Sequence, residues 1–330
     1  MKIIHCAPFN IVSKIGAALY SNPVKISLGL IQNGHYVHNF DYRDTSRYFS
    51  IFKNKKNGAT KMNQLFLECV DSISPDLIIF GHAELIFEET FQYIKNKNIK
   101  MIFWYNDMIL SNHFYKISHL FDLVLITGAG EILNQLQPFN ANSFFLPNPV
   151  DLSIEKHVAF EHEQKYDLLF SGRSDANRKD LIQFIDKNLT NINIKHIGQT
   201  RDTTIIGEKY FQLITNSKIC LNHSRNEYMV YKWYTSDRLM HILGNGSFCL
   251  SRTIIDGEDF FEDKLDYYSD FDEMKLKILY YLENNQERIE KTKWLHTRVH
   301  QLFNAKRVGA YMIDLLLQNN INLKQYEWYK

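Results

Sequence analysis

The sequence has no surplus of charge of either sign: across 330 residues, Lys and Arg number 38, and Asp and Glu 37. A general nucleic-acid binder needs a cationic surplus to displace counterions from phosphates, so no nucleic-acid partner is expected. A phosphorylated small molecule stays open, because a few local cations suffice. Cysteine is scarce, with four in all: Cys6, Cys69, Cys220 and Cys249. None forms a CxxC pair, and three sit inside apolar strand-like runs. That pattern reads as buried structural thiols in a reducing compartment, against a metal or redox role. No run of about 18 apolar residues occurs, so no transmembrane helix is expected. The opening residues 1–7 lack an apolar core long enough for a signal peptide. A cytoplasmic setting is expected, with peripheral contact at the inner face of the membrane left open.

Three chemical signatures are also missing. No GxGxxG follows the first strand-like run; Pro8-Phe9-Asn10 fills that turn, which argues against a nicotinamide dehydrogenase. No GxxxxGK[ST] exists, so no P-loop is expected. Thirteen histidines are scattered without HExxH or any ligand-like spacing. No metal site and no cofactor are therefore expected.

What is present is repeated βα patterning. Apolar strand-like runs occur at 2–7, 77–80, 101–105, 123–126 and 144–146, several ending in a small polar cluster, and 35–41 alternates as a further strand. Helical patterns lie between several of them. Such runs, apolar on both faces, form a parallel sheet covered on both sides. Residues 53–61 read as a cationic loop. Residues 147–160 carry two prolines and then polar sequence, and mark the boundary. The pattern restarts at Asp167-Leu168-Leu169-Phe170. Length alone suggests two domains. The expected fold class is α/β, with two Rossmann-like doubly wound domains facing a cleft, at 1–150 and 151–305. A C-terminal helix within 306–330 is expected to pack back on the first domain.

The stretch 216–252 organises the second half. The apolar run Ile219-Cys220-Leu221 ends in the polar loop 222–227. A helical pattern over 237–243 stops at Gly244 and Gly246, and Phe248-Cys249-Leu250 forms the next strand. Ligands of such sheets sit outside the carboxyl ends of strands, near helix N-termini.

The second half resembles the glycosyltransferases of the spore-maturation-protein type, a group of GT-B-like enzymes. The residues that carry this are Phe170-Ser171-Gly172-Arg173 with Arg178, then Tyr210 and 217–222, then Arg238-Leu239-Met240 with Gly246-Ser247-Phe248. Tyr280-Tyr281-Leu282-Glu283-Asn284 with Glu287-Arg288 complete the set. The resemblance spans about 167–317; the first half fits at the level of fold.

The resemblance implies a GT-B glycosyltransferase that moves a sugar from a nucleotide-sugar donor to a hydroxyl of a saccharide or lipid-linked acceptor. The setting it implies is bacterial surface polysaccharide or glycoconjugate synthesis. The C-terminal domain would hold the donor and the N-terminal domain the acceptor. Gly172, Arg173 and Arg178 then form a cradle for the leaving nucleoside diphosphate, with backbone donors at a helix start and fixed arginine forks. Asn222, Arg225 and Arg238 also face the diphosphate. Without a metal motif, these cations would stabilise the leaving group themselves. The plainer alternatives are solvated charge at a helix start and an Asp237–Arg238 ion pair.

In related retaining enzymes two glutamates, eight positions apart, flank this helix and hold the donor sugar and the ribose. Aligned on Arg238 and Gly246, they fall on Trp233 and His241. Neither is a carboxylate, although neutral His241 still offers a ribose one donor and one acceptor. A base is also needed to take the acceptor proton. Two strand ends of the first half offer His82 and Asp107, each equally readable as a hydrogen-bonded histidine or a helix cap. Trp104, Tyr105 and Trp233 are candidates for a stacking wall, or simply core. The stereochemical outcome stays open. The alternative reading is a GT-B-like scaffold that binds nucleotide or glycan without turnover.

Overall fold

The computed structural model describes residues 1–50 and 54–329. Two compact units emerge: Met1–Pro147 together with Ala305–Lys330, and Asn148–Asn304.

The first unit is built on six parallel strands: β1 (Lys2–Cys6), β2 (Tyr36–Phe40), β3 (Leu77–Gly81), β4 (Lys100–Tyr105), β5 (Leu123–Ile126) and β6 (Ser143–Phe145), ordered β2-β1-β3-β4-β5-β6. The inner strands are apolar on both faces because helices cover both, and Leu77 to Phe80 are wholly buried. Aromatic rings fill one side of the sheet: Phe80 packs on Phe91 at 5.1 Å and on Phe121 at 5.7 Å. The first helix, Asn22–Gln32, begins with Pro23 in its first turn, where a missing N–H costs nothing.

The C-terminal helix Ala305–Leu316 belongs to this unit and packs on Asn22–Gln32. Glycine makes that approach possible. A Cβ on Gly29 would lie 1.9 Å from the Ala305 carbonyl oxygen, and one on Gly309 would lie 2.9 Å from the Gly29 carbonyl carbon.

The second unit has five parallel strands: β7 (Tyr166–Ser171), β8 (Ile194–Ile197), β9 (Ser217–Asn222), β10 (Phe248–Arg252) and β11 (Asp266–Tyr268), ordered β11-β10-β9-β7-β8. Its core joins Leu168, Phe170 and Leu221 of the sheet to Leu181, Ile185 and Tyr281 of the covering helices. Cys220 and Cys249 are register neighbours on β9 and β10; both are buried free thiols, as is Cys6.

Local boundaries differ from the sequence reading in places. Of the expected cationic loop 53–61, Lys53 lies outside the described residues. Asn54 to Gly58 form the turn, and helix Ala59–Ile73 starts within the expected loop. The sequence reading did not anticipate the short helix Tyr42–Tyr48, which Asp41 caps by accepting the Asp44 N–H at 3.0 Å. Among the described residues, no helix is long and apolar enough to cross a membrane.

Candidate active site

In the second unit the strand order reverses between the neighbours β7 and β9. Connections leaving their carboxyl ends part in opposite directions, and the crevice this opens is where such sheets bind ligands. β7 runs into Gly172 and Arg173. Helix Ala176–Asn188 follows, its N-cap Asp175 accepting from the Arg178 N–H at 2.9 Å. β9 runs through Asn222 into His223. Helix Asp237–Gly244 is capped by Ser236, whose hydroxyl accepts from the Leu239 N–H at 3.3 Å. Burial of Leu239, Met240, Ile242 and Leu243 anchors that helix and fixes Arg238 in its first turn.

Arginines dominate the crevice. Arg178 is buried and donates through Nε and Nη2 to the His223 carbonyl at 3.3 and 3.2 Å, and through Nη1 to the Arg173 carbonyl at 3.1 Å. Arg238 donates to the same His223 carbonyl at 3.0 Å, to the Ser171 carbonyl, and to Asn222 Oδ1 at 3.4 Å. Its guanidinium also lies 5.6 Å from the centre of the Phe170 ring. Asp175 sits 3.4 Å from Arg178 and 3.6 Å from Arg225, and Glu227 is 3.9 Å from Arg225. Arg178 and Arg225 thus share two carboxylates, and with Arg238 beside them the three arginines outnumber these carboxylates. Burial, followed by the like charges of Arg238 and Arg225, lowers Arg178 to about 10. An anion placed here would relieve that repulsion.

His223 holds this arrangement in place. Burial, then Arg252, Arg238 and Arg178, push its imidazole down to about 3, so the ring is neutral. Its Nε2 meets Asn177 Oδ1 and its Nδ1 lies 2.8 Å from the Tyr268 hydroxyl. Asn222 is equally fixed: its amide donates to Ser251 Oγ at 2.9 Å and its carbonyl accepts from Ser236 Oγ at 2.7 Å. Gly172 leaves room for its neighbours. A Cβ there would lie 2.9 Å from Arg238 Nη1 and 3.0 Å from Phe170 Cζ.

The structure brings Gly172, Arg178, Asn222 and Arg238 into one cluster, with Arg225 joined through Asp175. The side chain of Arg173 is exposed beside it. His241 is placed differently. It is buried one turn along the helix, in edge contact with Tyr210 and Phe211, each at 5.7 Å. Trp233 is core: it packs on Phe260 at 5.1 Å and donates to Asp259 at 3.0 Å. Trp104 is core too, and of the expected stacking wall Tyr105 alone is half-exposed.

In the first unit the order reverses between β1 and β3. His82 follows β3, and His82 and Ala83 have φ of 63° and 56°, a left-handed pair without glycine. Such strain concentrates at functional loops. The His82 ring lies edge-on to Tyr105 at 4.9 Å. Burial first, then the charge of Arg43, lowers its pKa; an Asn106 side-chain hydrogen bond and the charges of Glu84 and Asp107 oppose this. His82 and Asp107 therefore share one neighbourhood. Asp107 caps no helix: the next one, Asn112–Ile117, is capped by Ser111, and Asp107 Oδ1 instead accepts from the Ile109 N–H at 3.4 Å.

Sequence reasoning missed the hub beside them. Glu84 accepts from Arg43 Nε and Lys55 Nζ at 2.7 Å each, and from the Tyr42 hydroxyl. Burial alone would raise this carboxyl, yet the three donors hold it down to about 2. It also missed His223, whose one sequence signal is its place directly after a strand end.

Comparison with known proteins agrees with this fold. Residues 173–314 match the family model described as glycosyl transferase-like. The chain is similar to an alpha-glucosyltransferase solved in complex with UDP and a 13-mer DNA containing a central A:G mismatch. Identity is 12%, covering 96% of this chain and 100% of that one, at a TM-score of 0.67. It is also similar to a sucrose-phosphate synthase from Thermosynechococcus elongatus, at 12% identity, 98% and 100% coverage and a TM-score of 0.63. This is the GT-B glycosyltransferase fold. A third GT-B likeness is AviGT4, a glycosyltransferase involved in avilamycin A biosynthesis, at 11% identity, 96% and 97% coverage and a TM-score of 0.58. No curated protein sequence matches the chain. Within this GT-B chain the family match starts at Arg173 and takes in the whole arginine cluster except Gly172.

One expectation is overturned. Near-zero net charge was read as excluding a nucleic-acid partner, yet GT-B structures similar to this chain are complexes with DNA. Net charge averages over the whole surface, whereas gripping a few phosphates needs only a local cationic group.

Proposed function

We propose that this protein transfers a glycosyl group from a nucleoside-diphosphate sugar to a hydroxyl acceptor. The observation that carries the reading is the pair Arg178 and Arg238, fixed on the His223 carbonyl at the switch point of the second unit. A nucleoside diphosphate leaves with developing negative charge, and preorganised cations stabilise it without reorganising during the reaction. In this reading Gly172 lets the chain pass close to the diphosphate, Arg173 and Arg225 add charge at the rim, and Asn222 holds Arg238. His241 and Trp233 stand where the related retaining enzymes carry glutamates, and their burial here gives them a supporting role.

The acceptor is assigned to the first unit, with His82 or Asp107 taking its proton. The acceptor is proposed to be a saccharide or lipid-linked hydroxyl of a bacterial surface glycan, and the setting cytoplasmic. Transfer is proposed to need no metal, because the arginines supply the neutralising charge. UDP sugars are the first donors to try, since similar structures carry UDP. The test is incubation with UDP-, GDP-, ADP- and CMP-sugars plus acceptor extracts, with and without EDTA, reading released nucleotide. Turnover that survives EDTA supports the proposal. The loss of both glutamate positions favours a second reading, a nucleotide-binding scaffold. Tight nucleotide binding with no release under any condition would select it.

A further inference from the structure

The first unit holds an apolar cavity of about 760 Å³ outside the His82–Asp107 neighbourhood. Ile11, Val12, Tyr48, Phe49 and Leu65 supply its apolar wall. Its rim is unusually bare: Val12 is 78% exposed, Tyr48 83%, and Ile15, in the same loop, 92%. A contiguous apolar surface of this kind marks an interaction site rather than a random exposed side chain. The loop is held in place. Asp44 accepts the Val12 and Ser13 N–H groups at 2.8 and 3.0 Å and pairs with Arg47 at 2.7 Å. Asp41 caps the helix Tyr42–Tyr48. Both carboxylates in the lining are thus engaged with the protein itself.

Apart from the engaged carboxylates Asp41 and Asp44, the segments bordering this rim carry cations. The segments 11–15, 47–49 and 54–65 contain Lys14, Arg47, Lys55, Lys56 and Lys61 and no Asp or Glu. Lys61 lies one turn before Leu65 on helix Ala59–Ile73, hence on the same face. The turn bearing Lys56 is tied to helix Tyr42–Tyr48 by the Ser46 hydroxyl, which donates to the Lys55 carbonyl. Lys14, Lys56 and Lys61 are exposed.

We propose that this face docks on an anionic lipid bilayer, with Ile11, Val12, Ile15 and Tyr48 entering the interface and an acyl chain filling the cavity. The exposed Lys14, Lys56 and Lys61 then meet lipid phosphates, while Arg47 and Lys55 stay paired with Asp44 and Glu84. Apolar side chains ringed by cations are the combination that holds proteins at such interfaces. This inference goes beyond the transfer reading and does not rest on it.

The test is co-sedimentation of the full chain with vesicles of phosphatidylcholine alone or mixed with phosphatidylglycerol. Binding is expected to the mixed vesicles and to fall with salt. The double variant Val12→Asp/Ile15→Asp should abolish it, and Lys14→Gln and Lys61→Gln should each weaken it roughly fivefold. These side chains are exposed, so thermal unfolding and UDP binding should match wild type, which separates this idea from the nucleotide reading. Absence of vesicle binding, or binding that the apolar variants leave unchanged, would overturn it. So would binding to a short DNA duplex that competes off the vesicles and ignores the apolar variants, which would make the face a simple cationic patch.

Discussion

Arg178 and Arg238 come from different helices and donate to the same atom, the carbonyl oxygen of His223, at 3.2 and 3.0 Å. Neither guanidinium is neutralised by that contact, because a carbonyl carries no net charge. Two like charges are therefore held together in a partly desolvated crevice before any ligand arrives. A hydrogen bond to a charged group contributes about 1.5–3 kcal/mol. Arg238→Ala should weaken UDP affinity by roughly 10- to 150-fold, as read by calorimetry. Arg178→Ala should do the same but also lower Tm, since it removes contacts that tie the Arg173 and His223 carbonyls. Unchanged affinity in both variants would remove the diphosphate from this crevice.

Gly172→Ala tests the same geometry from the backbone side. The added methyl would meet Arg238 Nη1 at 2.9 Å and the Phe170 ring at 3.0 Å. The arginine, being the flexible partner, should give way. UDP binding should fall while Tm changes little. A large loss of Tm with intact binding would mean that Phe170 moves instead.

Glu84 makes an acid prediction. Its folded value of about 2 lies below the ordinary 4.5, so its contacts with Arg43, Lys55 and Tyr42 favour the charged form. A depressed carboxyl stabilises the fold above its unfolded pKa and loses that contribution as pH falls through the folded one. The gap in Tm between wild type and Glu84→Gln should therefore be full above pH ~5 and shrink steadily toward pH ~2. A gap that is constant over this range would show that Glu84 acts through packing and not through its charge.

Gly29→Ala addresses the C-terminal segment. Its Cβ would lie 1.9 Å from the Ala305 carbonyl oxygen, which is rigid backbone. The helices Asn22–Gln32 and Ala305–Leu316 would have to part. Overpacking of this kind costs about 1–3 kcal/mol. The variant should lose Tm and expose the C-terminal segment to protease, with UDP affinity unaffected.

The sheets were legible because their inner parallel strands, buried on both faces, read as apolar runs, whereas the edge strands β2 and β8 mix polar residues in and β11 is short. The arginine cluster was legible because Gly172-Arg173 follows one strand and Asn222 ends another. What periodicity could not reveal was partnership across the fold. His223 looked like one more polar loop residue, yet burial and the Tyr268 and Asn177 contacts make it the anchor for both arginines. Glu84 belonged to no motif, because Tyr42, Arg43 and Lys55 are distant in sequence. His241 carried the right spacing for a ribose contact, but the ring packs against Tyr210 and Phe211, which no linear pattern announces. The nucleic-acid exclusion failed for a related reason: a whole-chain sum hides local sign.

The proposed acceptor base divides between two neighbours. His82 has its pKa lowered by burial and by Arg43, so it is neutral at pH 7 and able to accept a proton. Asp107 raises that pKa in part, by stabilising the imidazolium. If His82 is the base, His82→Asn should lower kcat by about 10²–10⁴ with the UDP-sugar KM intact. The acid limb of kcat/KM should lie below the ordinary 6.5 of histidine, and Asp107→Asn should move that limb further down, because the imidazolium loses a favourable charge. If Asp107 is the base, the order reverses: Asp107→Asn removes turnover, and His82→Asn keeps most of it. A kcat unchanged in both variants would take proton transfer away from this loop and leave its left-handed pair at His82 and Ala83 without a catalytic reason.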